Sequence, residues 1–136
     1  MKKLFFLLVM VAITRIGYSQ QAAVTPQPKV DVAVFEWDSQ AFDFGKIKQG
    51  VPATHEFKFT NKGKVPLVIT NAQPSCGCTT PDWTRTPVAP GEKGFIKATF
   101  NAAAVGPFTK SVTVTANVEN GTTVLQIKGE VSQVVQ

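Results

Sequence analysis

The chain has 136 residues, 43% of them hydrophobic and 17% charged, with a formal net charge of +5. That is enough chain and enough apolar content for one domain with a real core, and too little for two domains of ordinary size. Two cysteines and one histidine exclude a scaffold stapled by many disulfides and leave few soft ligands for a metal.

Lys2-Lys3 forms a short basic region ahead of the apolar run Leu4 to Ile13 (LFFLLVMVAI). The run is shorter than the roughly 20 residues that a spanning helix needs, and Arg15 interrupts it soon after. Gly17-Tyr18-Ser19 then offers small residues where a signal peptidase reads. Residues 1–19 are expected to be a secretory signal peptide, cut before Gln20. The mature chain is therefore expected to be exported, to the periplasm or to the cell surface or medium, without a transmembrane segment. Removing Lys2, Lys3 and Arg15 leaves eleven Lys and Arg against nine Asp and Glu, a mature charge of about +2. No basic cluster remains to track a phosphate backbone, so nucleic acid is not an expected partner. Gln20 to Lys29 (QQAAVTPQPK) is polar, proline-bearing and without period, and is expected to be a flexible leader to a single domain over 30–134.

From Val30 the dominant signal is alternation. His55, Phe57 and Phe59 oppose Glu56, Lys58 and Thr60; Ile96, Ala98 and Phe100 oppose Lys97 and Thr99. Val112, Val114 and Ala116 alternate with Ser111, Thr113 and Thr115, and Leu125, Ile127, Gly129 and Val131 with Gln126, Lys128 and Glu130. Residues two apart share one face of a strand, so each segment has a buried and a wet side. Val30 to Trp37, Ala41 to Ile47 and Leu67 to Ala72 complete about seven strands. Asn61-Lys62-Gly63, Pro90-Gly91 and Asn120-Gly121 are turn formers between them. The pattern predicts an all-β, immunoglobulin-like antiparallel β-sandwich with Phe57, Phe59, Leu67, Ile69, Ile96, Phe100, Val112, Val114, Leu125 and Ile127 in its core. A small barrel would satisfy the same alternation.

The ordered segments FDFGKIKQG, HEFKFTNKGKVPLVI, SCGCTTPDW, VAPGEKGFIKATF, GPFTKSVTVTAN and LQIKGEV resemble a family of exported Bacteroidetes-type proteins of unknown function with an immunoglobulin-like fold. That family is related to ASH/Hydin-like and major-sperm-protein-like domains. The resemblance covers about Val34 to Val131. It implies the sandwich already reached from alternation and supplies no activity.

The chemistry rests on Cys76-Gly77-Cys78. Zinc is a poor fit, since structural sites want four ligands with C-x₂₋₄-C spacing and only Cys76, Cys78 and His55 are at hand, with Asp82 as a distant recruit. Copper(I) suits thiolates, but Met1 and Met10, the only methionines, leave with the signal peptide. A thioredoxin-like pair wants C-x-x-C at a helix start, and prolines at Pro74 and Pro81 flank this pair instead. A disulfide between Cys76 and Cys78 and two small buried thiols are the remaining readings. Residues i and i+2 of an extended strand stand nearly 7 Å apart, so a bridge needs the chain to bend. His55 shares the parity of Phe57 and Phe59 and belongs at the rim of the core. Trp37 and Trp83 read as packing, and the sequon Asn120-Gly121-Thr122 as a hairpin. The expectation is a non-enzymatic exported binding or structural module, without a cofactor, for an unknown protein or cell-envelope partner. The alternative is a periplasmic thiol site that binds Cu(I) or exchanges redox equivalents.

Overall fold

The computed structural model describes Pro26, Pro28 and residues 30–133, so the expected signal peptide and most of the leader lie outside the described residues. Eight strands follow in order: β1 (Phe35–Trp37), β2 (Ala41–Lys48), β3 (Ala53–Asn61), β4 (Ile69–Pro74), β5 (Thr79–Trp83), β6 (Lys93–Phe100), β7 (Gly106–Ala116) and β8 (Thr122–Ser132). They form two four-stranded sheets, β1-β3-β6-β5 and β2-β8-β7-β4.

Alternation places one face of each sheet in the shared interior. Phe57 and Phe59 on β3 and Ile96 and Phe100 on β6 are buried, as are Val112 and Val114 on β7 and Leu125 and Ile127 on β8. All ten expected core positions, Leu67 and Ile69 included, are buried. Burying such side chains stabilises by about 1.5–3 kcal/mol each before entropy is charged against it. Phe59 lies over Gly94, its ladder partner; a Cβ there would come within 2.9 Å of Cε1 of the ring. The turn signals also hold. Gly91 and Gly121 take left-handed φ values of 83° and 72°, which glycine adopts without strain.

Four sequence expectations need correction. The strands number eight, because Thr79–Trp83 pairs with β6 although Pro81 and polar neighbours hide its periodicity. The first strand is Phe35–Trp37 rather than Val30 to Trp37, since Ala33 leaves that ladder and makes an isolated bridge to Val118, in the turn between β7 and β8. The fourth strand runs from Ile69 to Pro74, while Leu67 makes an isolated bridge to Val88. Finally, β2 runs parallel to β8, whereas every other ladder is antiparallel. Between β1 and β2 the chain crosses to the other sheet without turning back, Asp38 still bonded to Lys58 of β3 and Phe42 already stacked on His55, and β2 takes its direction beside the last strand from that crossing.

Candidate functional site

Cys76 and Cys78 stand in the turn that carries the chain from β4 in one sheet to β5 in the other. Three elements hold this turn. The Ser75 amide donates to the Ser111 carbonyl at 2.8 Å and the Ser111 amide donates to Ser75 Oγ at 3.1 Å, which ties the turn to β7. The Asn101 amide donates to the Cys78 carbonyl at 3.0 Å, which ties it to the end of β6. Within the turn, the Thr79 amide donates to the Cys76 carbonyl at 3.3 Å.

That last bond is the bend the bridge requires. It draws the two Cα atoms to 5.3 Å, inside the usual disulfide span, and the two sulfurs meet. Gly77 is not in the left-handed region, and a Cβ placed on it would meet nothing within 4 Å. The glycine is therefore not what bends the chain. Cys78 packs against the core, and both cysteines are half-buried.

His55 does not join them. It faces Ala98 across one ladder, and Ala98 faces Pro81 across the next. His55 thus stands two strand spacings from β5, roughly 10 Å, and its row meets β5 three residues beyond Cys78. Among the described residues, no three His, Cys, Asp or Glu side chains group closely enough to hold a metal ion. Asp82 is engaged elsewhere, accepting from the Trp83 amide at 2.9 Å and pairing with Arg85 at 3.4 Å.

His55 is instead an aromatic-wall residue. Its ring lies flat on Phe42, with centroids 3.7 Å apart and planes 8° apart, and edge-on to Phe57 at 4.6 Å. Burial lowers its pKa from the ordinary 6.5, against a smaller upward pull from Glu56. Trp37 stacks on Phe35 at 4.7 Å and meets the edge of Phe59. Trp83 carries the Arg85 guanidinium 3.5 Å above its ring.

The sheet edges form the other candidate surface. On β5, the bonds Thr84 N–H to Phe95 O and Asn101 N–H to Cys78 O turn even-numbered residues toward β6. Pro81 therefore faces the open side, where it has no N–H to offer. β4 ends in Pro74 and β1 has three residues. β2 has eight residues and no proline. Gln40 O accepts from Gln126 N–H and Gln49 N–H donates to Ser132 O, both toward β8. The register shift between Asp43 and Lys46 reconciles the even position with the odd one. Strand alternation then turns the backbone of Ala41 and Asp43, and past the bulge that of Lys46 and Lys48, to the open side.

Comparison with known proteins places this framework. No curated protein matches the sequence. Among solved structures, a protein of unknown function from Porphyromonas gingivalis W83 superposes with a TM-score of 0.65 at 18% identity. The match covers 74% of this chain and 47% of that one, so the chain spans about half the length of that relative. The ASH/PapD-like domain 7 of human CEP192 gives a TM-score of 0.61 at 14% identity, covering 86% of this chain and 98% of the domain. The VesB protease of Vibrio cholerae gives 0.57 at 15% identity, over 72% of this chain but 31% of the protease. At these identities the likeness shows a shared immunoglobulin-like, PapD-like fold. Residues 35–131 match the family described as "Protein of unknown function (DUF1573)", which covers most of the chain. The chain belongs to the DUF1573 family.

Proposed function

We propose that this protein is an exported, non-catalytic binding module that docks an extended segment of a cell-envelope protein on the open edge of β2. The observation that carries the reading is the contrast between edges. Pro81 removes a donor from β5, Pro74 ends β4 and β1 is short, whereas β2 has no proline and turns the N–H and C=O groups of Asp43 and Lys46 and the Lys48 N–H outward, Ser39 Oγ engaging those of Ala41 and the Val51 amide the Lys48 carbonyl. Unpaired edge groups bind an added strand through main-chain hydrogen bonds. Lys46 and Lys48 guard the second half of this edge against a second copy, because lysines facing lysines repel. An acidic extended segment removes that guard, so the partner segment is expected to carry Asp or Glu. Export rests on the basic, apolar and small-residue order of residues 1–19.

The test is a photo-crosslinking amino acid placed at Asp43 and, as a control, at Thr80 on β5, in cells that express the full chain. Adducts at Asp43 with one extended acidic peptide, and slowed exchange of the Lys46 and Lys48 amides in the complex, are the expected result. Adducts at Thr80 instead, or an adduct of twice the chain mass, would overturn it. The intact mass of the exported protein reports the cut before Gln20, and a retained Leu4 to Ile13 segment would remove export from the reading.

The Cys76–Cys78 turn serves that module as a structural closure. We take its bridge to be formed in the exported protein, since the turn already holds the two residues at bridging distance and export compartments are oxidising.

A further inference from the structure

At the far side of sheet β2-β8-β7-β4 from β2, an open cleft of about 270 Å³ lies between the two sheets. Phe100 of β6 and Phe108 of β7, stacked with centroids 4.0 Å apart, line it with Cys78, Val105 and Pro107. The remaining wall is the short segment between β6 and β7. That segment is fixed: Gly50 N–H donates to Ala102 O at 2.8 Å and Gln49 Nε2 to Ala103 O at 3.0 Å. Ala102 is fully buried at a φ of 53°, a left-handed conformation that costs a non-glycine residue energy and persists only where its surroundings impose it.

Lys110 is the single charged residue lining this apolar cleft. It shares the inward parity of Phe108 and Val112 on β7, lies across the ladder from buried Ile127, and is half-buried. It takes part in no salt bridge among the described residues. An outward lysine on the same strand would cost nothing to solvate. An inward one places a positive charge beside apolar walls, where a bound anion gains more than it would in bulk water.

We propose that this cleft binds an organic carboxylate carried on a short apolar tail, with the tail along exposed Val105 and Pro107 where the edges of buried Phe100 and Phe108 close the floor, and the carboxylate on Lys110 Nζ. The volume is at the small end of ligand cavities, which suits a tail of roughly six to ten carbons. The walls are pre-formed, so binding does not have to order them. The cleft is separate from the β2 edge, and the two readings stand or fall apart.

The experiment is titration of the protein with octanoate, followed by amide chemical shifts and calorimetry. Octanamide, which keeps the tail and loses the charge, and acetate, which keeps the charge and loses the tail, run beside it. Octanoate is expected to shift the amides of Val105, Phe108 and Lys110 and to bind at least about tenfold more tightly than either control, the worth of one charge-assisted contact. Lys110→Met should remove that preference, and Lys110→Arg should keep it. Val105→Glu, at an exposed rim position, should weaken octanoate by like-charge repulsion without disturbing the fold. Ala41→Pro should leave octanoate binding unchanged. Equal binding of octanoate and octanamide, shifts confined to other residues, or unchanged binding by Lys110→Met would overturn the proposal. So would displacement of octanoate by a peptide with an apolar C-terminal residue and a free carboxylate, which would make the ligand a chain end.

Discussion

Asn61 Nδ2 donates to the backbone carbonyl of Val88 at 2.9 Å, joining the end of β3 to the segment that leads into β6. Its second Nδ2 hydrogen goes to the Val65 carbonyl at 2.8 Å, and its Oδ1 accepts from the Gly63 amide at 2.9 Å. Asn61 is fully buried, and with the Val34 amide also donating to its Oδ1 at 3.4 Å one side chain satisfies four backbone groups. Asn61→Ala is expected to destabilise the fold by about 2–4 kcal/mol, because an unpaired buried carbonyl or amide costs about 1–3 kcal/mol. Urea denaturation would check it, and a loss below about 0.5 kcal/mol would contradict the role.

Two glycines should respond oppositely to the same added methyl. Gly94→Ala pushes a Cβ into the Phe59 ring and is expected to cost about 1–3 kcal/mol, as overpacking of a core does. Gly77→Ala meets open space at an ordinary backbone conformation and is expected to stay within about 0.5 kcal/mol of the parent. Thermal unfolding of the two variants side by side measures the contrast.

The His55 stack makes stability depend on pH in a defined direction. Its folded pKa is lowered, first by burial and against Glu56, so below pH 6.5 the unfolded chain takes up the proton more readily than the folded one. Stability is then expected to fall as pH drops from 6.5 to the lowered folded value, and to lose no more from this group below it. His55→Phe keeps a ring against Phe42 and should flatten that part of the curve. A variant with the same slope between pH 6.5 and 5 would show that the histidine is not its source.

Replacing both Cys76 and Cys78 by Ser should leave the fold intact and cost about 1–2 kcal/mol. The closed loop is short, so little chain entropy is recovered when the bridge is lost. The turn keeps its four backbone and side-chain ties to β7, β6 and itself. Circular dichroism and urea unfolding under air and under dithiothreitol check this. Collapse of the β signal in the variant would mean that the bridge holds the two sheets together.

The period-two pattern of side chains by itself determined the all-β class and the core residues, while the division into two sheets rather than a closed barrel came from the tertiary structure. Phe57, Phe59, Ile96, Val112 and Leu125 had to lie on one face of their strands whatever the topology, because the strand repeat is two. The resemblance of its segments to a family of immunoglobulin-like domains of unknown function is likewise a property of the sequence, and the family match covers the same stretch. What alternation does not carry is which strands become neighbours. The parallel seat of β2 against β8 and the departure of Ala33 from β1 are set by chain crossings between sheets. β5 was hidden because Pro81, tolerated at an edge, breaks the propensity that marks a strand.

The site divides the same way. Sequence spacing put Cys76 and Cys78 within a bend of each other, and the hydrogen bond from Thr79 to Cys76 supplied the bend. Asn61 read as a turn residue, while its parity with Phe57 and Phe59 already placed its side chain inward. Lys110 carried the same signal, two residues before Val112, yet a charge at an inward position has meaning only once its neighbours are known. Tertiary structure alone brought Cys78, far back along the chain, and Phe100, on the other sheet, to it, because contacts between sheets depend on how the sheets stack and not on any local repeat.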